Sequence, residues 1–288
     1  MKRCDATHRL LRDGVRMPRI LYGTAWKKAQ TATWVERALA AGFAGIDTAC
    51  QPKHYDEAGV GAGIAASAAA RAAVAATSSD ALYLQTKFTP LAGQDPARLP
   101  YDANAPLAQQ VTQSFAVSQR NLGREHLAAL LLHSPLRERA GQREVWGAME
   151  TLVDSGHVGL IGISNCYDPA ELQRLWREAR IKPSIVQNRF YAQTGYDKTI
   201  RSFCREHGLA YQSFWTLSAN PHLLCDTTVL GLAAAYARTP AQILFRYLVQ
   251  RDVVPLTGTT SEAHLRESIE VLAFELDAPD AAAIDALL

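Results

Sequence analysis

The sequence predicts a (β/α)8 barrel of the TIM type, carrying an N-terminal β-hairpin and extra helices and loops. Three observations predict it. Short apolar, β-prone runs alternate with longer runs of helical period, and a βαβα order calls for a parallel sheet. The β-prone runs number eight, at residues 20–22, 45–47, 82–86, 130–132, 160–163, 185–186, 209–213 and 253–256. The length of 288 residues suits one such barrel, so 1–288 reads as a single domain.

Ahead of the first barrel strand, residues 7–11 and 15–17 flank Asp13-Gly14, a hairpin turn signal, and such a hairpin can lie across the barrel bottom. Between strands, apolar residues recur three and four apart: Trp34/Ala38, Val111/Phe115/Leu122, Val145/Met149/Leu152, Leu172/Leu175, Ile200/Cys204 and Ile243/Tyr247. Each set lays one stripe on the barrel. Asp168-Pro169 and Thr239-Pro240 put an oxygen cap before a first-turn proline. Residues 229–236 and 241–250 both read as helix between the last two strands, one more than a minimal barrel needs. Residues 62–76 are an alanine-rich helix, and 89–106, rich in turn formers, is a long loop expected to close over the barrel mouth.

Composition narrows the function. With 48% hydrophobic and 20% charged residues the chain is a folded body rather than a disordered one. A net charge of +2, with no basic run longer than Lys27-Lys28, excludes a nucleic-acid or membrane-surface footprint and favours small-molecule chemistry. Cys4, Cys50, Cys166, Cys204 and Cys225 are scattered and odd in number, which argues against disulfides and a metal site. Without a signal core or a spanning apolar run, a cytoplasmic protein is expected.

In a parallel barrel the functional face lies at the carboxyl ends of the strands. Here those ends carry Asp47-Thr48-Ala49, Lys87, His133, Ser164-Asn165, Gln187-Asn188, Phe214-Trp215 and Thr257-Gly258-Thr259-Thr260-Ser261. Singly, Asp47 and Lys87 read as a buried structural ion pair and His133 as a core histidine. Their joint placement at successive strand ends reverses that preference.

The ordered motifs Gly23-Thr24-Ala25-Trp26, Gly45-Ile46-Asp47-Thr48-Ala49, Tyr55-Asp56-Glu57, Gln85-Thr86-Lys87, Leu132-His133-Ser134-Pro135, Ile163-Ser164-Asn165 and Val253-Val254-Pro255 run over nearly the whole chain. In these the chain resembles the aldo-keto reductases, as a divergent branch. The resemblance implies reduction of a small aldehyde or ketone by NAD(P)H, with a tetrad of Asp47, Tyr55, Lys87 and His133. Its physics can be stated independently. A carbonyl that accepts hydride needs a proton on oxygen, and a tyrosine can give it. A lysine ammonium beside the phenol would lower its pKa, an aspartate would hold the lysine, and a histidine would donate to the substrate oxygen.

The tyrosine segment departs from the family. Five residues after Asp47 stands Pro52, and counting back from Asp56-Glu57 puts His54 at the tyrosine position. Residues 50–55 are lengthened. Tyr55 is assigned as the acid because only a phenol matches the chemistry and Tyr22 and Tyr83 fall within strands; His54 stays open as a second candidate or a substrate contact.

A phosphate can rest on the free N–H groups of a helix N-terminus, and residues 257–261 leading into a helix at 262–272 fit that need. The resemblance implies that Ser164, Asn165 and Gln187 hold the nicotinamide carboxamide and that Phe214 stacks on the ring. It completes the coenzyme set with Gly23, Thr24, Ala25, Trp26, Trp215, Leu217, Leu256, Thr257, Gly258, Thr259, Thr260, His264, Glu267 and Ser268. Where NADPH-preferring relatives carry a lysine and an arginine, this chain has Gly258 and His264, so NADPH comes first by resemblance with NADH or dual use open. The glycines of 59–63 imitate a dinucleotide fingerprint, but no strand runs into them, and they read as a helix start. Trp26, His54, Phe88, Pro135, Leu136 and Trp215 would rim the substrate pocket. A monomer or weak homodimer is expected. Two other functions compete: a nicotinamide-dinucleotide-binding regulatory subunit with little turnover, and a Schiff-base lyase on Lys87, which a nearby aspartate disfavours.

Overall fold

In the computed structural model, which describes residues 7–11, 14–67 and 82–288, the chain starts with β1 (His8–Leu10) antiparallel to β2 (Arg16–Pro18), Arg9 opposite Met17. Gly14 closes the turn at φ +77°, a conformation that glycine adopts without steric cost; Asp13, the other half of the turn signal, lies outside the described residues. This hairpin caps the barrel floor. Met17 is fully buried and its sulfur accepts from Gln212 Nε2 at 3.3 Å, inside the barrel.

Eight parallel strands close the barrel: β3 (Leu21–Gly23), β4 (Gly45–Asp47), β5 (Tyr83–Phe88), β6 (Leu127–Leu132), β7 (Val158–Ser164), β8 (Ile185–Arg189), β9 (Ala210–Phe214) and β10 (Val253–Thr257), with β10 returning to β3. Each β-prone run thus forms a strand, most of them extended by a few residues. Because successive side chains point to opposite faces, the strands feed two cores. Leu21, Tyr83, Leu131, Leu160, Ile185 and Ala210 fill the interior, whereas Leu84, Phe88, Leu130, Leu132, Ile161 and Val186 pack outward under the helices.

The capped starts form as their sequences demand. Asp168 accepts from Ala170 N, and Thr239 with Gln242 makes a full capping box. Both helices between β9 and β10 are present, at Thr227–Ala235 and Pro240–Gln250, after a short one at Pro221–Leu224. The glycines of 59–63 lie in a helix at Glu57–Ala66, and residues 68–76 of the expected alanine-rich helix fall outside the described residues. A Cβ on Gly61 would stand 2.1 Å from Asn121 O and one on Gly63 2.4 Å from Ala32 O. These glycines serve helix packing against Thr31–Ala40 and Leu107–Leu122. Cys50, Cys166, Cys204 and Cys225 are free thiols. Among the described residues no helix is long and apolar enough to cross a membrane, and no three His, Cys, Asp or Glu side chains are grouped to hold a metal.

Candidate active site

At the carboxyl end of β4, Asp47 is 2% exposed, and Lys87 at the end of β5 is 1% exposed, so neither charge can be left to water. They meet directly. Lys87 Nζ lies 2.7 Å from both Asp47 oxygens and 2.8 Å from Thr48 O, which uses all three of its hydrogens. Burial draws the Lys87 ammonium below its ordinary pKa, and Asp47 opposes that drift. Asp47 Oδ1 also accepts from Gln85 Nε2 at 2.6 Å and Gln187 Nε2 at 2.9 Å, and Gln212 links those two glutamines at 2.9 and 2.8 Å. Three inward glutamines from β5, β8 and β9 thus form a polar layer beneath the ion pair. Sequence reasoning misses Gln85 and Gln212 as site residues; their signal is a polar residue at an inward position of an otherwise apolar strand.

The lengthened segment after β4 folds as a turn. His54 N and Tyr55 N both donate to Gln51 O, Gln51 Nε2 is held by Gly93 O at 2.7 Å, and Trp26 N donates to His54 O at 2.7 Å. Asp56 then caps the Glu57–Ala66 helix through Gly59 N at 2.9 Å. Between these fixed points Tyr55 is turned inward, with its ring 5.3 Å from Lys87 Nζ and 5.9 Å from the His133 ring. His54 turns instead toward the mouth and stacks on Trp26 at 3.9 Å. The Tyr55 hydroxyl makes no hydrogen bond to any described residue. Burial, and secondarily the Asp47 carboxylate, pushes its pKa well above the ordinary 10. The expectation of a lowered pKa is therefore corrected: desolvation outweighs the nearby ammonium, whose hydrogens are spent on Asp47 and Thr48 rather than on the phenol.

His133 follows β6. Burial, reinforced by the Lys87 ammonium and His54, holds its pKa down to about 3, so the ring is neutral. Its Nδ1 sits 2.6 Å from Thr89 Oγ1. Thr89 is 2% exposed and its hydroxyl has no other partner among the described residues, so were Nδ1 to carry the hydrogen, the threonine O–H would be buried without an acceptor. Thr89 donates, and the ring hydrogen resides on Nε2. The main chain that carries the ring is also fixed, Asn165 Nδ2 donating to the His133 carbonyl at 2.9 Å.

A cleft of about 730 Å³ opens over these groups and runs from Asp47, Tyr55 and His133 to the turn after β10. Of the expected coenzyme residues, Gly23, Ala25, Trp26, Ser164, Asn165 and Gln187 line it. Phe214, Trp215, Leu217, Leu256, Thr257, Gly258, Thr259 and His264 continue the wall. Thr24, Thr260, Glu267 and Ser268 do not reach it: the Thr24 hydroxyl is spent on Asp47 O at 3.0 Å and that of Ser268 on His264 O at 2.7 Å. Of the expected substrate rim, Trp26, His54 and Trp215 stand on the cleft, the two tryptophans 56% and 48% exposed. Phe88, Pro135 and Leu136 do not. Phe88 follows inward-facing Lys87, so strand alternation sends it outward onto Tyr101, and Leu136 is tied by its N–H to Gln142 and packs on the outer core. The loop 89–106 also stays off the cleft: Tyr101 donates to Thr89 O and Gln94 to Cys50 O, so it braces the tyrosine segment from behind. Sequence reasoning also misses the cleft residues Lys27, Gln51, Arg189, Thr216, Ser218 and Phe245. A second cavity, about 180 Å³ between the helices Arg139–Asp154 and Pro169–Glu178, holds none of the strand-end groups.

The profile of the aldo/keto reductase family matches residues 19–220 and 219–288. Among curated proteins, an uncharacterised oxidoreductase, YtbE, of Bacillus subtilis (strain 168) is 29% identical over 96% of this chain and 91% of its own. The 9,11-endoperoxide prostaglandin H2 reductase of Trypanosoma cruzi (strain CL Brener) is 28% identical over 99% and 92%, and the glyoxal reductase of Bacillus subtilis (strain 168) 28% over 96% and 91%. Among solved structures, an aldo/keto reductase from Brucella melitensis superposes with a TM-score of 0.80 at 28% identity, covering 98% of this chain and 99% of that one.

Proposed function

The chain belongs to the aldo/keto reductase family, and on that premise we propose that it reduces an aldehyde or ketone to the alcohol with NAD(P)H, Tyr55 acting as general acid. The observation that carries the reading is an unpartnered Tyr55 hydroxyl on the cleft, beside a charged lysine and a neutral histidine. With its pKa raised, Tyr55 holds its proton at neutral pH and releases it only to a strong base, which a carbonyl oxygen becomes as it turns into an alkoxide. The Lys87 ammonium, 5.3 Å from the ring, offsets the negative charge left on the phenolate. His133 Nε2–H donates to the same oxygen and orients it. The glutamine layer keeps Asp47, and through it Lys87, in one position.

When bound, the coenzyme supplies the hydride. The cleft fits a long, anionic ligand: it is continuous from Tyr55 to His264, and a Cβ on Gly258 would come within 3.3 Å of Gly23 O and Lys27 Nζ. Ser164, Asn165, Gln187 and Phe214 would hold the nicotinamide end and residues 257–259 with Lys27 the phosphate end. NADPH is the family's typical coenzyme. The turn, however, presents Gly258 and His264, and Arg266 leans toward Glu262 at 4.0 Å, so NADH use is part of the proposal. Of the relatives' names, that of the glyoxal reductase supports a small carbonyl substrate in general rather than one compound.

Carbonyl-dependent loss of nicotinamide absorbance, measured with NADPH and NADH in turn, tests the reading, and Tyr55→Phe should abolish it. Full activity in that variant refutes the assignment. Tight coenzyme binding with no turnover across a broad carbonyl panel would favour the regulatory subunit instead.

A further inference from the structure

Arg189 ends β8 two residues after Gln187, on the same inward face and roughly 7 Å nearer the open end of the barrel. Its backbone N–H is tied to the Tyr167 hydroxyl at 3.0 Å, but among the described residues its guanidinium makes no hydrogen bond. Nε is buried with no hydrogen-bond partner, and among the described residues no carboxylate lies within ion-pair distance of it. The other shielded arginines differ: Arg9 and Arg19 share Asp252, and Arg246 meets Glu275. The Arg189 Cζ instead stands 4.3 Å from the Trp215 ring and 5.2 Å from the Tyr191 ring, so two aromatic faces hold the fork in place while its donors stay free. Trp215 holds its part of this platform at φ 55°, an unusual conformation for so large a residue.

Around this group the cleft is cationic. Lys27 and Arg189 face it, and its one acid, Asp47, is already neutralised by Lys87. Lys27 stands at the Gly258 turn, where the proposed function gives it to the phosphate end of the coenzyme. Arg189 has no such assignment. We propose that Arg189 binds an anionic oxygen group and that the carbonyl substrates preferred by this cleft carry a carboxylate. The planar fork matches a carboxylate bidentately, and the bound anion would satisfy the buried Nε–H that the free protein leaves unpaired. The substrate part of the proposal rests on the reductase reading; the anion site does not.

Two measurements separate them. Binding of benzoate and benzamide, followed by quenching of tryptophan fluorescence, needs no turnover; benzoate should bind the wild type, lose about 10-fold or more in Arg189→Met, and keep part of its advantage in Arg189→Lys, with benzamide unchanged. In turnover, the Michaelis constant for para-carboxybenzaldehyde should rise by a similar factor in Arg189→Met while that for benzaldehyde and the NADPH dissociation constant stay put. Equal benzoate binding in wild type and Arg189→Met overturns the proposal. So does a weakened NADPH affinity that penalises both aldehydes alike, which would give Arg189 to the coenzyme diphosphate. Benzoate discrimination in a protein that turns over no carbonyl would uphold the anion site and refute the reductase.

Discussion

Replacing Lys87 by methionine keeps the bulk of the side chain and removes its charge. Asp47, 2% exposed, would then hold a buried carboxylate with only Gln85 and Gln187 donating to it, and Thr48 O would lose its donor. Breaking a buried pair by deleting one partner costs about 3–5 kcal/mol. At roughly 2–4 °C per kcal/mol for a chain of this size, the melting temperature should fall by about 6–20 °C. Replacing both members, Asp47→Asn with Lys87→Met, removes the orphaned charge and should recover at least half of that loss. Deleting one member of the exposed Arg180–Asp154 pair should barely move the melt. Scanning calorimetry of the four proteins at pH 7 reads all of this. A Lys87→Met protein melting within about 2 °C of wild type would refute the claim that the ion pair is desolvated.

The depressed pKa of His133 makes stability pH-dependent. Unfolded histidine titrates near 6.5 and the folded ring near 3, so the unfolded state binds the extra proton between them. Stability is complete above about pH 6.5 and falls as pH drops toward 3, by at most about 1.4 kcal/mol per pH unit, and His133→Asn should lose that slope in denaturant melts. Thr89→Val should let the ring hydrogen exchange between nitrogens, seen in the 15N shifts of His133, and lower kcat about 10-fold, with Thr89→Ser close to wild type. Unchanged ring shifts in the valine variant would contradict the tautomer argument. Gly61→Ala drives a Cβ into Asn121 O and should cost about 1–3 kcal/mol while leaving NADPH affinity alone; a lost affinity would revive the dinucleotide-fingerprint reading.

The barrel is legible in the sequence because apolar strands and amphipathic helices alternate without interruption. The inward layer is less so. β8 reads from sequence as Ile185-Val186 alone, since Gln187, Asn188 and Arg189 look like loop, yet they continue the strand: Gln187 is satisfied inside the barrel by Asp47, and Asn188, on the opposite face, by Asp197. Missing the strand's last half means missing Arg189, although period two from Gln187 leads straight to it. The same period explains Phe88: next to an inward lysine it must face outward. Asp47, Lys87 and His133 are found because strand ends are where such barrels place polar side chains. The path of residues 89–106 is not legible, since turn formers announce a loop but the bonds from Gln51, Gln94 and Tyr101 that set its course depend on tertiary contacts.

The tyrosine segment is where sequence and geometry have the most to decide between, because His54 occupies the family position and Tyr55 the place beside Lys87. Single-turnover hydride transfer from bound NADPH to an aldehyde, compared in wild type, Tyr55→Phe and His54→Gln, decides it. If Tyr55 is the acid, Tyr55→Phe should lose about 10²–10⁴-fold in the transfer rate with NADPH affinity unchanged, and His54→Gln should stay within about 10-fold. The reverse order, with Tyr55→Phe near wild type and His54→Gln inactive, would contradict it.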